Sequence, residues 1–312
     1  MLVAFLNYLT YEKRYSPKTV ESYQTDLQKF FLFQQNEFQQ ADITQTHNRH
    51  IRTWVVALVN TNIKPASVKR KISALKSFFK YLQKTGKIQT NPAAKIVSPK
   101  IPDRLPKFVA QKDLNTLLED HNQDKNWTNQ GQDSAQIKNY FSDDFFGRQE
   151  NLIIDVLYSC GLRRSELIHL KWMDVNLGTK QIKVTGKGNK QRLIPISSAL
   201  VAALTNLKVE QENEYKDKTK QDYVFLTKDG NQLYDKFVYR LVKEKLTLCT
   251  TVEKKSPHVL RHSFATHMSN NGAKLNDIKE LMGHASLAST QVYTHNTIEQ
   301  LKEIYKIAHP KS

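Results

Sequence analysis

The chain has 312 residues, enough for two domains of roughly 150 residues each. It contains 47 lysines and arginines against 30 aspartates and glutamates, a formal net charge of +17. A mean hydropathy of −0.58 without a long apolar run excludes a membrane-spanning protein, while 39% hydrophobic residues suffice for folded cores. This excess of positive charge indicates a polyanionic partner, for which nucleic acid is the first candidate. The alternative that stays open is a basic protein without such a partner.

Cysteine content and the amino terminus indicate where the protein works. The two cysteines, Cys160 and Cys249, form no pair at metal-binding spacing and are too few for a disulfide framework. We therefore expect a reducing compartment, the cytoplasm. Residues 1–10 are apolar but lack leading basic residues, so they predict a helix rather than a signal peptide.

The positive charge is concentrated before a proline-rich segment. Residues 1–107 hold 18 basic and 6 acidic residues, whereas residues 108–312 hold 29 and 24. A DNA-binding domain before the proline-rich segment explains this uneven distribution of charge better than a general need for solubility does. Four prolines lie between Pro92 and Pro106, and each disfavours helix at its own position and the one before. We predict a helical DNA-binding domain over 1–95, a basic linker over 96–107 and a second domain over 108–312.

Helical signals dominate residues 1–95. Ser16 and Pro17 are typical of an N-cap and a first helical residue, and Pro65 opens a later helix. In that later helix the apolar residues recur at helical spacing from Val68 to Leu82. Four lysines line a different face, called the lysine face below: Lys69, Lys76, Lys80 and Lys84. Such a face is commonly just solvated, but the charge of this domain favours contact with DNA phosphates.

The second domain is predicted to be mainly helical with one β-hairpin. A short helix over 112–119 precedes residues 121–149, which are polar and predict a surface loop or insertion. An apolar helix over 152–158 ends at Gly161. Two short strands, 181–185 and 192–195, flank a glycine-rich basic turn. The remainder up to residue 307 is mostly helical, so the fold class is mainly α with a small β-hairpin.

Two short motifs offer cations for phosphate binding. In 161–167, Glu166 follows Arg163 by three residues, where it can orient the guanidinium; an ordinary surface salt bridge is the alternative. In 186–192 the glycine-rich turn presents Lys187, although it could be a turn with unremarkable surface lysines. The spacing of a nucleotide-binding P-loop is absent, which excludes ATP binding.

Two further motifs offer histidines and a tyrosine. His258 and Arg261 are three residues apart and share a helical face. A zinc site made of His258, His262 and His267 is disfavoured, because spacings of four and five move the third histidine off the face. His284 precedes Tyr293 by nine residues, and a lone tyrosine is usually a packed or surface aromatic.

In combination, the four motifs have the composition of a phosphate-transfer site that needs no metal. Arginine forks bind two phosphate oxygens at once, and histidines move protons near neutral pH. A tyrosine oxygen can attack phosphorus to form a covalent phosphotyrosine, provided that a base or dense positive charge is close. Such an intermediate conserves the energy of the DNA bond, so that strands can be rejoined without ATP.

The motifs resemble those of the tyrosine recombinases, the phage integrase family, and most of all its Xer-type members. The resemblance extends over nearly the whole chain and is most specific in 161–167, 185–192, 256–268 and 281–295. It implies that Arg163 is the first catalytic arginine with Glu166 as its supporting partner. It also implies that Arg164 occupies a position at which the residue type varies within the family. Lys187 is then expected to protonate the departing 5′ oxygen, and Arg261 to belong to a central histidine–arginine pair.

The same resemblance assigns the remaining roles. His258 assists proton transfer from the tyrosine, His284 hydrogen-bonds the scissile phosphate, and Tyr293 is the nucleophile that becomes joined to the 3′ phosphate. It implies no metal ion and no ATP. A helical core-binding, SAM-like domain and an α+β catalytic domain are expected to clamp double-stranded DNA at a specific site.

The resemblance further implies that four protomers assemble on two DNA sites and pass through a Holliday junction. The segment 297–309 is then a helix donated to a neighbouring protomer, unless it folds back on its own chain. Chromosome-dimer resolution, with a second recombinase or an accessory protein, is the expected role, and integration of a phage or mobile element is the alternative. A non-catalytic architectural DNA-binding protein and a monomeric type IB topoisomerase are the competing classes.

Overall fold

The chain divides into two compact units, Met1–Arg104 and Leu105–Ser312, and the division falls inside the proline-rich segment 96–107. No helix in the described part of the chain is long and apolar enough to cross a membrane. The computed structural model describes residues 1–99, 107–119, 140–186, 190–215, 222–283 and 295–310, with the backbone alone for 119 and 295–301.

The first unit is helical, as predicted. Helix α2 starts at Pro17, where the Ser16 hydroxyl accepts a hydrogen bond from the Thr19 backbone N–H at 3.3 Å. A π-helical turn follows α1, and a 3₁₀ turn precedes α3. The helices are α1 (Leu2–Asn7), α2 (Pro17–Phe38), α3 (Asn48–Asn60) and α4 (Pro65–Lys84).

Aromatic side chains from all four helices form the core of this unit. Phe30 of α2 contacts Trp54 of α3 edge to face, with ring centroids 5.1 Å apart. Phe5 of α1 meets Phe78 of α4 in the same way at 5.3 Å. The core residues of α4 leave its opposite side to solvent, which is the separation of faces that the sequence predicts.

The second unit contains the remaining helices and a small sheet. The described strands β1 (Val175–Asn176), β2 (Gln181–Thr185) and β3 (Gln191–Pro195) form an antiparallel sheet in that order. In the β2–β3 pair, Gln181 lies opposite Pro195 and Thr185 opposite Gln191. The predicted hairpin is therefore confirmed, and β1 is an additional edge strand. The elements are α5 (Gln111–Glu119), α6 (Phe145–Ser159), α7 (Arg164–Ile168), β1 (Val175–Asn176), β2 (Gln181–Thr185), β3 (Gln191–Pro195), α8 (Ser198–Glu214), α9 (Asp235–Cys249), α10 (Pro257–Asn270), α11 (Leu275–Met282) and α12 (His295–Ala308).

One boundary differs from the prediction. Residues 145–149 were expected in the polar segment 121–149, but they form the first turn of α6. Asp144 caps this turn, because its carboxylate accepts a hydrogen bond from the Gly147 N–H at 2.7 Å. The rest of the predicted insertion lies largely outside the described residues, which resume at Tyr140.

Helix α12 folds back on its own unit, which is the alternative to donation stated above. Tyr305 is buried, and its hydroxyl donates to the Ser159 carbonyl at 3.1 Å. The His309 ring stacks on Tyr305 and its Nε2 lies 3.0 Å from the same carbonyl. The Asn271 amide also donates to the Ala308 carbonyl at 3.0 Å. These contacts tie α12 and the residue that follows it to the carboxyl ends of α6 and α10.

Gly161 ends α6 and sets the direction of the chain into the first arginine motif. Its φ of +55° lies in the left-handed region that favours glycine. A Cβ at this position would lie 2.6 Å from the Phe264 ring on α10. Two independent constraints, backbone and packing, therefore require glycine here.

Gly161→Ala should destabilise the second unit by about 3 kcal/mol, the sum of a left-handed backbone penalty and a ring displacement. Gly272→Ala is the matched control, since Gly272 also has a positive φ (+92°) but nothing lies within 4 Å of its Cβ position. Gly272→Ala should lower the free energy of unfolding by only about 1 kcal/mol. Denaturant unfolding of both variants measures this; equal losses would contradict a packing role for Gly161.

Candidate active site

Four of the predicted site residues lie together in the second unit. Arg163, Glu166, His258 and Arg261 come from α7, the turn before it and α10. The other three predicted catalytic residues, Lys187, His284 and Tyr293, lie outside the described residues. Their roles stay predictions.

Glu166 lies at the centre of this group. It accepts a hydrogen bond from the backbone N–H of Arg163 at 2.8 Å, which caps the start of α7. Its other oxygen accepts from the Arg163 guanidinium at 2.6 Å. Arg163 itself is the N-cap residue of α7 and has an extended backbone conformation. The orienting role predicted for Glu166 thus has a direct geometric basis.

A second arginine, Arg192 on β3, bonds to the same carboxylate. Its two terminal nitrogens donate to the two Glu166 oxygens at 2.9 and 2.8 Å, a paired fork geometry. Sequence patterns did not single out Arg192 as a site residue. A signal was present, because Arg192 occupies the same inward-facing register of β3 as Ile194, and a buried arginine requires a buried anion.

Arg261 is the third arginine at this carboxylate. Its Nη1 lies 3.9 Å from Glu166 and donates to the Gly161 carbonyl, while Nη2 donates to the Met282 carbonyl. Burial and the positive charges of Arg163 and Arg192 lower the pKa of Arg261 to about 9, and Glu166 opposes this shift. The second unit therefore concentrates positive charge around one buried anion.

The ionisation of Glu166 follows from these partners. Burial alone would raise its pKa, but hydrogen bonds and charge from Arg192, followed by bonds from Arg163, lower it to about 2. Glu166 is therefore an anion throughout the neutral range. One negative charge among three guanidinium groups leaves a net positive site, which suits a phosphodiester.

A cavity of about 320 Å³ opens beside this cluster. Arg163 and Glu166 line one side, and Thr185 and Gly186 at the end of β2 line another. A Cβ on Gly186 would lie 3.5 Å from Glu166 and 3.6 Å from Arg163, so the strand backbone approaches the cluster closely. Gly186, which directly precedes Lys187 in the chain, therefore lies next to Arg163.

His258 lies in the first turn of α10 and is exposed. Partial desolvation and then the positive charges of Arg164, Lys254, Arg261 and Arg163 lower its pKa below the ordinary value of 6.5. The neutral imidazole, which can accept a proton, is thus its main form at pH 7. Arg164 itself pairs with Asp235 at 3.0 Å.

The histidines of α10 are not arranged as metal ligands. His267 is buried and its Nδ1 lies 2.7 Å from the Tyr158 hydroxyl, away from exposed His258. No group of three or more histidines, cysteines or carboxylates in the described ranges could hold a metal ion. The predicted displacement of His267 from the His258 face agrees with this arrangement.

The lysine face of α4 is placed as predicted in the first unit. Lys69, Lys80 and Lys84 are exposed and Lys76 is partly buried. The Lys84 ammonium lies 5.6 Å from the centre of the Tyr8 ring, so it also has an intramolecular cation–π contact. Lys71, on the core side, is instead buried in an ion pair with Asp26 at 2.7 Å.

Comparison with known families agrees with both units. Residues 2–86 match the N-terminal SAM-like domain of phage integrases, and residues 131–300 match the phage integrase family. The tyrosine recombinase XerC of Chlorobaculum parvum is 37% identical over 99% of this chain and 94% of its own. The chain belongs to the phage integrase family, the tyrosine recombinases. XerC of Natranaerobius thermophilus is 33% identical, covering 100% of this chain and 99% of its own.

Solved structures of this family share the fold. The XerH recombinase in a post-cleavage complex with palindromic difH DNA matches with a TM-score of 0.66 and 23% identity, over 92% of this chain and 79% of its own. The integrase of the Tn1549 transposon, in complex with transposon right-end DNA, matches with a TM-score of 0.69 and 16% identity. That match covers 97% of this chain and 98% of the integrase.

DNA cleavage should decline in acid as His258 becomes protonated. Because its pKa is lowered, the neutral imidazole is lost only as the pH falls below 6.5, and proton transfer from the tyrosine then slows. The single-turnover cleavage rate, measured from pH 5 to 8, should show an acid limb with its midpoint below 6.5. His258→Gln should be slow and lack this limb; a limb that persists in this variant would contradict the assignment.

Proposed function

We propose that the protein is a site-specific recombinase of the Xer type, which cuts and rejoins DNA through a 3′-phosphotyrosyl intermediate and a Holliday junction. The observation that carries the proposal is the buried Glu166 carboxylate with Arg163 and Arg261 around it. Such an arrangement is built to hold one phosphodiester and the charge that develops on its oxygens. The XerC relatives, which align over nearly the whole chain, support the Xer type.

In the proposed first step, the Tyr293 oxygen attacks the scissile phosphorus. Its proton passes to His258, whose pKa is lowered by partial desolvation and by neighbouring positive charges, so that the imidazole is mainly neutral at pH 7. Arg163 and Arg261 stabilise the additional negative charge on the non-bridging oxygens, and His284 hydrogen-bonds one of them. Lys187 donates a proton to the departing 5′ oxygen, which leaves as a free hydroxyl.

Rejoining reverses these steps with a different 5′ hydroxyl. That hydroxyl attacks the phosphotyrosine, Lys187 takes back its proton, and Tyr293 leaves with a proton from His258. The phosphotyrosine linkage conserves the bond energy, so we expect no ATP and no metal ion to be required.

DNA cleavage should therefore give the same yield of covalent protein–DNA adduct in EDTA as in Mg²⁺.

The finer biological role is also a proposal. The XerC relatives favour resolution of chromosome dimers in the cytoplasm during cell division, with four protomers on two DNA sites and a second recombinase or an accessory protein. Exchange of α12 between protomers would replace the contacts that Tyr305 now makes within its own chain. Integration of a mobile element is the alternative, since the Tn1549 integrase has the same fold.

Nicked DNA that carries the target site tests the catalytic proposal. The nick lets the short fragment that carries the freed 5′ hydroxyl diffuse away, so that the strand cannot be rejoined. The covalent protein–DNA adduct then accumulates and is seen on a denaturing gel. We expect an adduct with the unchanged protein and none with Tyr293→Phe. Tight, specific binding of the unchanged protein without any adduct would instead favour a non-catalytic architectural protein.

The lysine face gives a separate prediction for DNA binding. Lys76→Ala and Lys80→Ala should each weaken binding and reduce the slope of log K against log salt by about 0.9, the value for one phosphate contact. Lys29→Ala removes the same charge from an exposed position on α2 and should leave the slope unchanged. An unchanged slope in both lysine-face variants would mean that this face is only solvated.

A further inference from the structure

Arg192 joins three elements of the second unit. Arg192 extends from β3, and its two terminal nitrogens donate hydrogen bonds to the two carboxylate oxygens of Glu166 on α7. Its Nε donates to the Leu281 carbonyl on α11 at 2.7 Å. Only 3% of the residue is exposed. Arg192 is therefore shielded from any DNA that the unit binds, unlike Arg163, whose side chain is 28% exposed.

The end of α11 is held by the same three arginines that meet at Glu166. Arg192 donates to the carbonyl of Leu281, and Arg261 donates to that of Met282. Arg163 donates to the carbonyl of Gly283 at 3.1 Å. Three consecutive carbonyls at a helix carboxyl terminus, which have no partners within the helix, are thus each bound by a different guanidinium.

Gly283 fits closely against Arg192. It has a φ of +63° and ends α11 in left-handed conformation. A Cβ on Gly283 would lie 3.0 Å from Cδ of Arg192 and 3.2 Å from its Nη1. His284, assigned above to the scissile phosphate, is the next residue in the chain. The position of Arg192 therefore constrains where the chain leaves α11.

We propose that Arg192 is a positioning residue for the reaction, which acts through Glu166 and through the end of α11 without touching DNA. It fixes the Glu166 carboxylate that orients Arg163, and it anchors the turn that leads to His284. This inference rests on the proposed recombinase function. Its chemistry is specific to arginine, because the fork supplies two parallel bonds to the carboxylate and a third, from Nε, in another direction.

Arg192→Lys and Arg192→Gln test the inference. Lysine keeps the charge without the fork, and glutamine keeps hydrogen bonding without the charge. Both variants should slow adduct formation on nicked DNA at saturating protein by about 10²-fold, the effect of displacing a catalytic group by roughly 1 Å. DNA affinity should stay within about threefold, since the direct phosphate contacts remain. A structural defect of the whole unit would reduce affinity and rate together.

Arg148→Lys is the matched control. Arg148 on α6 also pairs with a carboxylate, that of Glu210 at 3.1 Å, but it lies on the surface of the same unit. The control should bind and cleave like the unchanged protein. A combined variant, Arg192→Lys with Glu166→Gln, should be no slower than the slower single variant, because both changes disable the same support.

Gly283→Ala provides a second route if the Arg192 variants do not fold, as judged by thermal unfolding. The added methyl pushes against Arg192 and should also slow adduct formation without loss of DNA affinity. Rates within about threefold of the unchanged protein in folded Arg192 variants, or multiplicative effects in the combined variant, would overturn the inference. Absence of any adduct with the unchanged protein would instead overturn the proposed function, so the two failures are distinguishable.

Discussion

One ionised carboxylate, that of Glu166, organises the catalytic unit. It binds the guanidinium groups of Arg163 and Arg192 directly, and Arg261 lies within 3.9 Å. These residues come from the start of α7, from β3 and from α10, elements that are distant in the chain. Removing one partner of such a buried charged network leaves the others uncompensated. The relative positions of the helices and the sheet therefore depend on Glu166 remaining charged and fully bonded.

The same carboxylate determines the electrostatics of the site. Three positive charges around one negative charge leave a net positive charge that suits an anion, and in the proposed reaction the substrate phosphate supplies it. Burial, and then the neighbouring positive charges, lower the pKa of Arg261 and that of His258. A neutral imidazole, which the proposed mechanism uses as a base, and two charged guanidinium groups can therefore coexist near neutral pH. The first unit contributes charge of a different kind, spread along an exposed helix face and suited to backbone phosphates.

Local sequence patterns predicted what depends on local contacts. The spacing of Arg163 and Glu166 indicated that they could pair, and two short strands around a glycine-rich turn predicted the hairpin. Arg192 was missed because its partner lies 26 residues away, and only its inward register hinted at burial. The first turn of α6 was missed because the Asp144 cap was hidden in a polar segment. Family resemblance alone assigned roles to Lys187, His284 and Tyr293, which lie outside the described residues.

Direct titration of Glu166 tests the central claim that one permanently ionised carboxylate holds the arginine cluster. The side-chain carboxyl carbon can be followed by NMR with ¹³C-labelled glutamate, and its signal assigned by its loss in Glu166→Gln. With a folded-state pKa of about 2, the signal should keep the chemical shift of a carboxylate from pH 7 down to pH 4. A midpoint near the ordinary glutamate value of about 4.3 would contradict the account, because a carboxylate bonded to two arginines cannot protonate so readily.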